Sequence, residues 1–530
     1  MISDMDLGDI QGNIVKAYGR YGFPVARHTF YHVSSPEVGR QFIADLMPLV
    51  TTSRPWQTAT IPLVAVNVAF TYEGLRHLDI PDETLHGFPD EFTMGMKARR
   101  DIIGDTGPNH FSRWDPIWNS EEQGETQHIH VLVSINARTD ADLERQYQQI
   151  RAILSQTIAK FPEIGAPGVT QLKGHRGAAG EDLPYQPAAA LEQTSKEHFG
   201  YSDGISGTYF QDCGEDPILV VGGGKPTGKD PRTLEGWAPL AAGEFIFGHA
   251  DESGTYAEAP GPPLFSRNGT FLVYRKLHQN VASFRSYLEA EGKRFPGGPE
   301  ALAAKFAGRW RNGAPLSRFP LKADADQFDN ELTSLTMRAR GGKATPQERA
   351  RLDELKLQLV AFDYTDDLDG AKCPFSAHTR RTNPRSGLEF QLGAFNEPGA
   401  LSNRRRLLRR GLPYGQVEEQ PTDEGDHGVI LLLLNADISR QYEFVQQQWI
   451  NFGNDFRLAN DQDPILGNHG INVNCRGEGR MVIEGDAKTS RPPYFCSRMP
   501  TLVETRGGDY FFVPSLTCLR MIGLGIVDPT

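Results

Sequence analysis

The sequence predicts an α+β fold made of tandem ferredoxin-like repeats of the dimeric α/β-barrel type, antiparallel sheets flanked by helices. Three observations carry that expectation. Residues 128–137, HIHVLVSINA, align without a gap on residues 427–436, HGVILLLLNA. Both runs then reach the tripeptide Arg-Gln-Tyr, at 145–147 and again at 440–442. Each copy reads as an apolar strand leading into a helix, and a recurring strand–helix pair is the signature of a duplicated unit. The third observation is a weaker echo between a strand at 63–72 and the run at 269–274, which also leads into a helix over 281–291.

The elements follow in order. Residues 27–34 alternate polar and apolar side chains, as a half-buried strand does. A helical period follows over 36–49, through Val38, Phe42, Leu46 and Leu49. The strand at 63–72 gives way to a long stretch, 80–126, rich in Gly, Pro, Asp and Trp, which reads as irregular loop; Asp115 and the acids at 121–125 read as solvated charge within it. The strand at 128–136 runs into a helix over about 140–160. Between the copies lie insertions: a Gly/Pro-rich connector at 213–240, a short helix over 299–310, and a charged helix from Thr345-Pro-Gln-Glu348 to about 362. That tetrapeptide is a capping box with proline at the first helical position. These signals divide the chain into an N-terminal half, 1–212, and a C-terminal half with insertions, 213–530. A length of 530 residues accommodates both.

Composition excludes several classes. A formal net charge of −12 gives no reason to expect binding to nucleic acid or to an anionic membrane. The longest apolar run, 429–434, has the length of a strand and not of a membrane span. The first twenty residues lack a basic segment followed by an apolar one, so the expectation is a cytoplasmic protein if the sequence is full length, and a secreted one if it is a processed form. Five cysteines (213, 373, 475, 496 and 518) are odd in number and lack CxxC spacing, which disfavours both a disulfide framework and a zinc ribbon.

Three stretches carry possible chemistry. Gly200-Tyr-Ser-Asp203-Gly204 brackets an acid with glycines, which lets backbone and ligand approach closely. Residues 373–385, CPFSAHTRRTNPR, hold a lone histidine, His378, followed by Arg380, Arg381 and Arg385. One imidazole can be an axial ligand to an iron porphyrin whose carboxylates pair with guanidinium groups; the plain alternative is a surface histidine beside a basic loop. Residues 404–415, RRRLLRRGLPYG, form a basic run ending in a turn. Other candidates fall away. Gly222-Gly-Gly224 lacks phosphate-loop spacing and reads as a flexible turn, while His128 and His130 share one face of a strand without a third ligand.

Taken in order, Gly-x-x-Asp-Gly, then Ala-His-x-x-Arg-x-Asn-Pro-Arg, then Leu-Leu-Arg-Arg-Gly-x-Pro-Tyr-Gly, the sequence resembles the dye-decolourising peroxidases, in their longer branch. The likeness runs from Asp9-Ile-Gln-Gly-Asn13 through Gly308-Arg-Trp-Arg-Asn-Gly-Ala-Pro-Leu316 to Phe511-Phe-Val-Pro-Ser515. It implies haem b held between two ferredoxin-like halves, hydrogen peroxide as oxidant and small-molecule reducing substrates. His378 matches the proximal iron ligand, Asp463 the carboxylate behind it, Asp203 the distal acid–base residue and Arg409 the distal arginine. Arg381 resembles the arginine that pairs with a haem propionate. Some members carry an asparagine two residues after the distal arginine; here that position is Gly411. A carboxylate as distal base implies an acidic optimum. Two other readings compete: a haem-handling protein for storage, transfer or iron release, and a cofactor-free interaction module.

Overall fold

The computed structural model describes residues 5–57, 60–119, 127–177, 180–191, 195–389, 397–417, 419–470 and 479–527. The acids at 121–125 and Cys475 lie outside the described residues. Two units follow one another along the chain, each a strand–helix–strand, strand–helix–strand. The first is β1 (Val25–Val33), α1 (Pro36–Leu46), β2 (Val64–Phe70), β3 (Val131–Ala137), α2 (Asp140–Ala159) and β4 (Val169–Gln171), with a further strand β5 (Gln186–Ala189) pairing β1. The second begins with β6 (Thr270–Gln279) and α3 (Val281–Gly292). After an insertion it continues with β7 (Leu408–Tyr414), β8 (Gly428–Asn435), two π-helical segments (Ile438–Glu443 and Val445–Ile450) and, beyond a hairpin of β9 (Gly479–Ile483) and β10 (Tyr494–Met499), β11 (Val503–Val513).

The strands form one sheet in the order β7-β8-β6-β11-β2-β3-β1-β4. Written by position within each unit, that is 2-3-1-4 followed by 2-3-1-4. All the pairings are antiparallel, and the two units meet through a single residue pair, Phe512 opposite Phe70. One hydrophobic core spans both. At the far ends β5 and β7 approach with Cα atoms within 8 Å, yet they share no ladder, so the sheet curls round without closing into a barrel.

The gapless recurrence at 128–137 and 427–436 falls on β3 and β8, the third strand of each unit, and the Arg-Gln-Tyr tripeptides fall on the helices that follow. Both helices are capped from the turn after the strand. Thr139 accepts the Asp142 N–H at the start of α2, and Asp437 accepts the Arg440 N–H. The weaker echo is corrected. The strand at 63–72 is second in its unit, whereas 269–274 opens β6, first in its unit and equivalent to β1. Apolar alternation is common to all strands of one sheet, so it does not fix position within a unit.

Burial also departs from the expectation of half-buried strands. Phe30 and Tyr31, neighbours on β1, are both wholly buried, because helices cover one face and the curled sheet covers the other. The stretch 80–126 is not all irregular; it holds short helices at Asp82–Leu85, Asp90–Ala98 and Arg100–Ile103. In the insertion of the second unit, α4 (Gly298–Ala307) precedes a hairpin of α5 (Lys322–Arg340) and α6 (Pro346–Gln358). The capping box of α6 is complete in both directions. α5 is unanticipated, a charge-rich helix held by ion pairs such as Arg351–Glu331 to its neighbour.

The concave face of the curled sheet carries polar side chains. Lys276 of β6 is fully buried between Asp115 (2.8 Å) and Asp426 (2.7 Å), so Asp115 is a buried ion partner and not solvated loop charge. Nearby His28 of β1 bonds Ser134 Oγ at 3.0 Å. Burial pushes the His28 imidazole down to about 4, so the folded protein keeps it neutral while the unfolded chain protonates it below about pH 6.5. Its contribution to stability is therefore complete above that pH and is lost as pH falls toward 4, in total roughly 2–3 kcal/mol. Denaturant titrations at pH 7 and 4.5 should show wild type losing that much more stability than His28→Gln; equal losses would refute the neutral buried state.

Candidate active site

The segment around His378 is held from behind. Asp367 accepts the N–H groups of Lys372 and Cys373, and Arg380 donates to Asp367 Oδ2 at 3.0 Å and to the Cys373 carbonyl at 2.7 Å. The Arg380 guanidinium is wholly buried between the rings of Tyr364 and Phe375, each 4.6 Å away. Arg385 is likewise buried, donating to carbonyls of Val360, Phe362 and Gly222. Both arginines are scaffold. Cys373 is a buried thiol pushed up to about 12 by burial, which leaves it protonated and without ligand character. His378 then opens the short helix α7 (His378–Thr382). Gly308, just past the end of α4, allows that helix to pack here. It has φ +83°, and a Cβ on it would lie 2.2 Å from Thr379 Oγ1.

Asp463 sets the state of the histidine. Its side chain is wholly buried; Oδ2 lies 3.0 Å from His378 Nδ1, while Oδ1 accepts the N–H groups of Ile465 and Leu466, both at 2.8 Å. Burial alone would push the Asp463 carboxyl up, but the His378 imidazole, Arg381 and the Leu466 N–H together bring it below the usual range. An ionised Asp463 accepts a hydrogen bond from the Nδ1–H, which leaves the lone pair of His378 on Nε2, toward the cavity that His378 lines.

That cavity measures about 2210 Å³, above the ~300–1,000 Å³ usual for drug-sized ligands. Asp203 and Arg409 line it with His378. Asp203 sits between Gly200 (φ +89°) and Gly204 (φ +70°), its Oδ1 accepting the Gly204 N–H at 2.7 Å and its own N–H bonded to Ser195 O at 2.6 Å. Arg409, on β7, is exposed to the cavity and gives one N–H to Ser206 O at 3.2 Å. Its register partner on β8 is Leu433, and Leu431 and Val429 continue the same apolar wall.

Arg381 departs from the expectation. It is not among the lining residues. Its guanidinium is wholly buried and donates to carbonyls of Ile450 (3.3 Å) and Asp461 (2.7 Å), so it braces the loop that carries Asp463. Three buried arginines do line the cavity: Arg275, which is paired with Asp105; Arg309, from the Gly-Arg-Trp-Arg motif; and Arg406. Arg309 donates to Gly313 O and Leu359 O; Arg406 donates to Gly223 O and Gly224 O. Gly222-Gly-Gly224 is therefore a packed turn that presents carbonyls, not a flexible one. Burial, with the Arg409 charge adding to it, brings Arg309 and Arg406 down to about 10. None of Arg309, Arg406 and Arg409 has a carboxylate ion-pair partner among the described residues. Sequence reading missed Arg309 and Arg406, since an arginine among arginines gives no periodic signal.

Glu197 was also missed. It lies half-buried near Asp203 and accepts the N–H groups of Phe199 (2.9 Å) and Tyr201 (2.8 Å) and the Gln279 amide. It fixes the backbone that presents Asp203; burial pushes its carboxyl up, against those donors. Gly411 explains its own identity. With φ +138°, a Cβ there would stand 2.1 Å from Ile430 O, so the β7–β8 ladder leaves no room for an asparagine.

Among the described residues no group of three or more His, Cys, Asp or Glu side chains is arranged to hold a bare metal ion. His130 is buried, its ring tilted against those of His77 and His32 with centroids 4.0 and 4.4 Å away. A lone imidazole with a free Nε2 suits a metal that brings its own equatorial ligands. Apolar walls and uncompensated guanidiniums suit a largely apolar macrocycle with anionic edges. The residues present fit an iron porphyrin.

Comparison with known proteins agrees. Residues 9–167 match a family model described as the DyP dimeric alpha+beta barrel domain. Peroxidase 2 of Mycetinis scorodonius is 26% identical over 97% of this chain and 87% of its own, and a dye-decolorizing peroxidase of Mycena epipterygia is 26% identical over 98% and 87%. Among solved structures, an ancestral D-type dye decolorizing peroxidase superposes with a TM-score of 0.70 at 24% identity, covering 97% of this chain and 98% of that one. A variant of the Pleurotus ostreatus enzyme gives 0.69 at 23%, covering 98% and 99%. Those structures share the fold, and the family model over residues 9–167 together with the full-length relatives indicates a DyP-type peroxidase.

Proposed function

We propose that the chain is a haem b peroxidase that reduces hydrogen peroxide to water and takes single electrons from bulky organic donors such as dyes and phenolics. What carries the reading is one cavity into which the His378–Asp463 pair comes from one part of the chain, and Asp203 and Arg409 from two others. Relatives named for dye decolorization span nearly the whole chain, and one solved relative holds 2,6-dimethoxyphenol. His378 Nε2 would hold the iron, with Arg309 and Arg406 facing the carboxylate edge. Bound haem supplies a ferric centre at which peroxide is split and from which two oxidising equivalents are drawn.

Asp203 takes a proton from peroxide and returns it to the departing oxygen. Its Oδ1 is engaged by Gly204, so Oδ2 is the oxygen free to do so. Arg409 keeps guanidinium N–H groups free beyond the one given to Ser206, and these meet the negative charge that develops on the leaving hydroxide. The balance is one peroxide, two protons and two electrons giving two waters, with two donors losing one electron each. A protein that only carried haem would need neither a carboxylate nor a free guanidinium there.

Purified protein should show a Soret band that His378→Ala abolishes or displaces. With haem content unchanged, Asp203→Asn and Arg409→Leu should each slow the first peroxide-dependent spectral change by about 10²–10³-fold in stopped flow; full activity in both would remove the acid–base assignment. A haem-loaded wild type that ignores peroxide would favour the haem-handling reading. Asp463→Asn should weaken haem retention or activity by about 10–100-fold, read by transfer of haem to an acceptor protein; wild-type retention and activity would show that the Nδ1 partner is dispensable.

A further inference from the structure

The run Gly308-Arg-Trp-Arg-Asn-Gly313 leaves the end of α4 and folds back on itself. The Trp310 N–H bonds Ala314 O at 2.9 Å, and the Leu316 N–H bonds Gly308 O at 3.1 Å. α4 and this hairpin touch both sides of the site. On one side they support the His378 segment: Lys305 of α4 donates to Ala371 O at 3.3 Å, and Gly308 packs against Thr379 and Ala377. On the other they hold the turn that presents Asp203. Tyr201 O–H donates to Ala303 O of α4 at 2.6 Å, and Ser202 gives both its N–H and its Oγ–H to Arg311 O at 3.2 Å. The Arg311 guanidinium donates to Phe199 O. Gly313, at φ +93°, lies so close that a Cβ on it would stand 2.7 Å from Ile205 Cδ1.

We propose that Arg311 is a positioning residue for Asp203, and that α4 with its hairpin is the strut that sets Asp203 against His378. Gly200 and Gly204 give the turn two left-handed residues and little order of its own, so its direction depends on outside anchors. Arg311 grips the Phe199 carbonyl through its side chain and Ser202 through its own carbonyl, one hold on either side of Gly200. The guanidinium is fixed in turn. Its Nε–H lies 3.0 and 3.2 Å from the two Glu300 oxygens on α4, and its plane stands 5.2 Å from the Tyr201 ring and 5.6 Å from that of Phe284. A planar fork can meet a carboxylate and a carbonyl together, which an ammonium cannot do in the same geometry. Gly200 leaves the space for it, since a Cβ there would lie 3.1 Å from Arg311 Nη1. Glu300 neutralises the charge, and Arg311 is not among the residues lining the cavity. Its influence on a substrate therefore passes through the turn. The inference rests on the peroxidase reading for what Asp203 does, and not for how the turn is held.

The test places Arg311→Leu in two backgrounds, wild type and Asp203→Asn, at equal haem content. In the first it should slow the initial peroxide-dependent spectral change by about tenfold or more. In the second it should slow that step by less than about twofold, because a residue that acts through Asp203 has nothing left to position there. General damage to the fold would slow both backgrounds alike. In the protein as purified, hydrogen exchange at the Ser202 amide should quicken by about tenfold or more while amides within α4 keep wild-type rates. Arg311→Lys keeps the charge and loses the fork; it should show the same pattern at smaller amplitude, and it serves if Arg311→Leu does not fold. Wild-type speed in Arg311→Leu, equal slowing in both backgrounds, or unchanged exchange at Ser202 overturns the proposal. If Asp203→Asn itself leaves the peroxide step at wild-type speed, the acid–base reading fails, and the exchange measurement still decides whether Arg311 holds the turn.

Discussion

The hydrogen bond from His378 Nδ1 to Asp463 is the interaction on which the site depends. A carboxylate removed from water costs several kcal/mol unless charge and hydrogen bonds replace the lost hydration. Asp463 is wholly buried and receives those replacements from three directions: the imidazole, two backbone N–H groups of its own turn, and the Arg381 charge. The same arrangement decides which ring nitrogen of His378 is left for a ligand. Arg381 acts through this pair, because it ties the carbonyls of Ile450 and Asp461 to α7 and so holds the Asp463 loop against the histidine.

The opposite electrostatic arrangement holds on the rest of the cavity wall. Arg309 and Arg406 are buried, are depressed by burial and by the Arg409 charge, and have only carbonyl partners. Such a cluster destabilises the folded chain until an anion meets it. A ligand with acidic edges therefore stabilises the protein by its differential affinity for the folded state. The wall is built from insertions as well as from the repeated units, which is why two units with the same strand order carry such unequal shares of the site.

Part of this was legible in the sequence. The duplication was visible because β3 and β8 are third strands with the same burial demands and the same exit into a capped helix. The weaker echo misled because periodicity reports burial and not strand position. Asp203, His378 and Arg409 were legible as short motifs in order, and the structure brings the three to one cavity. Arg309 and Arg406 were not, because their significance lies in the absence of carboxylate partners, a property of packing. Arg381 was misplaced for a related reason: three residues beyond His378 on a single helical turn, it points behind the ligand and not beside it.

The N-terminal segment acquires a role from the same reasoning. Asp9-Ile-Gln-Gly-Asn13 is too short to interpret alone, yet Gln11 bonds the Val68 backbone in both directions and also the Pro514 carbonyl. It thereby clamps β2 to the end of β11, where the two units share only the Phe512–Phe70 pair. The next residues, Asn13 to Val15, receive the Arg410 guanidinium. A one-residue slip of β7 would exchange the faces of Arg409 and Arg410. The clamp at the chain's beginning therefore fixes which of two adjacent arginines looks toward His378 across the cavity.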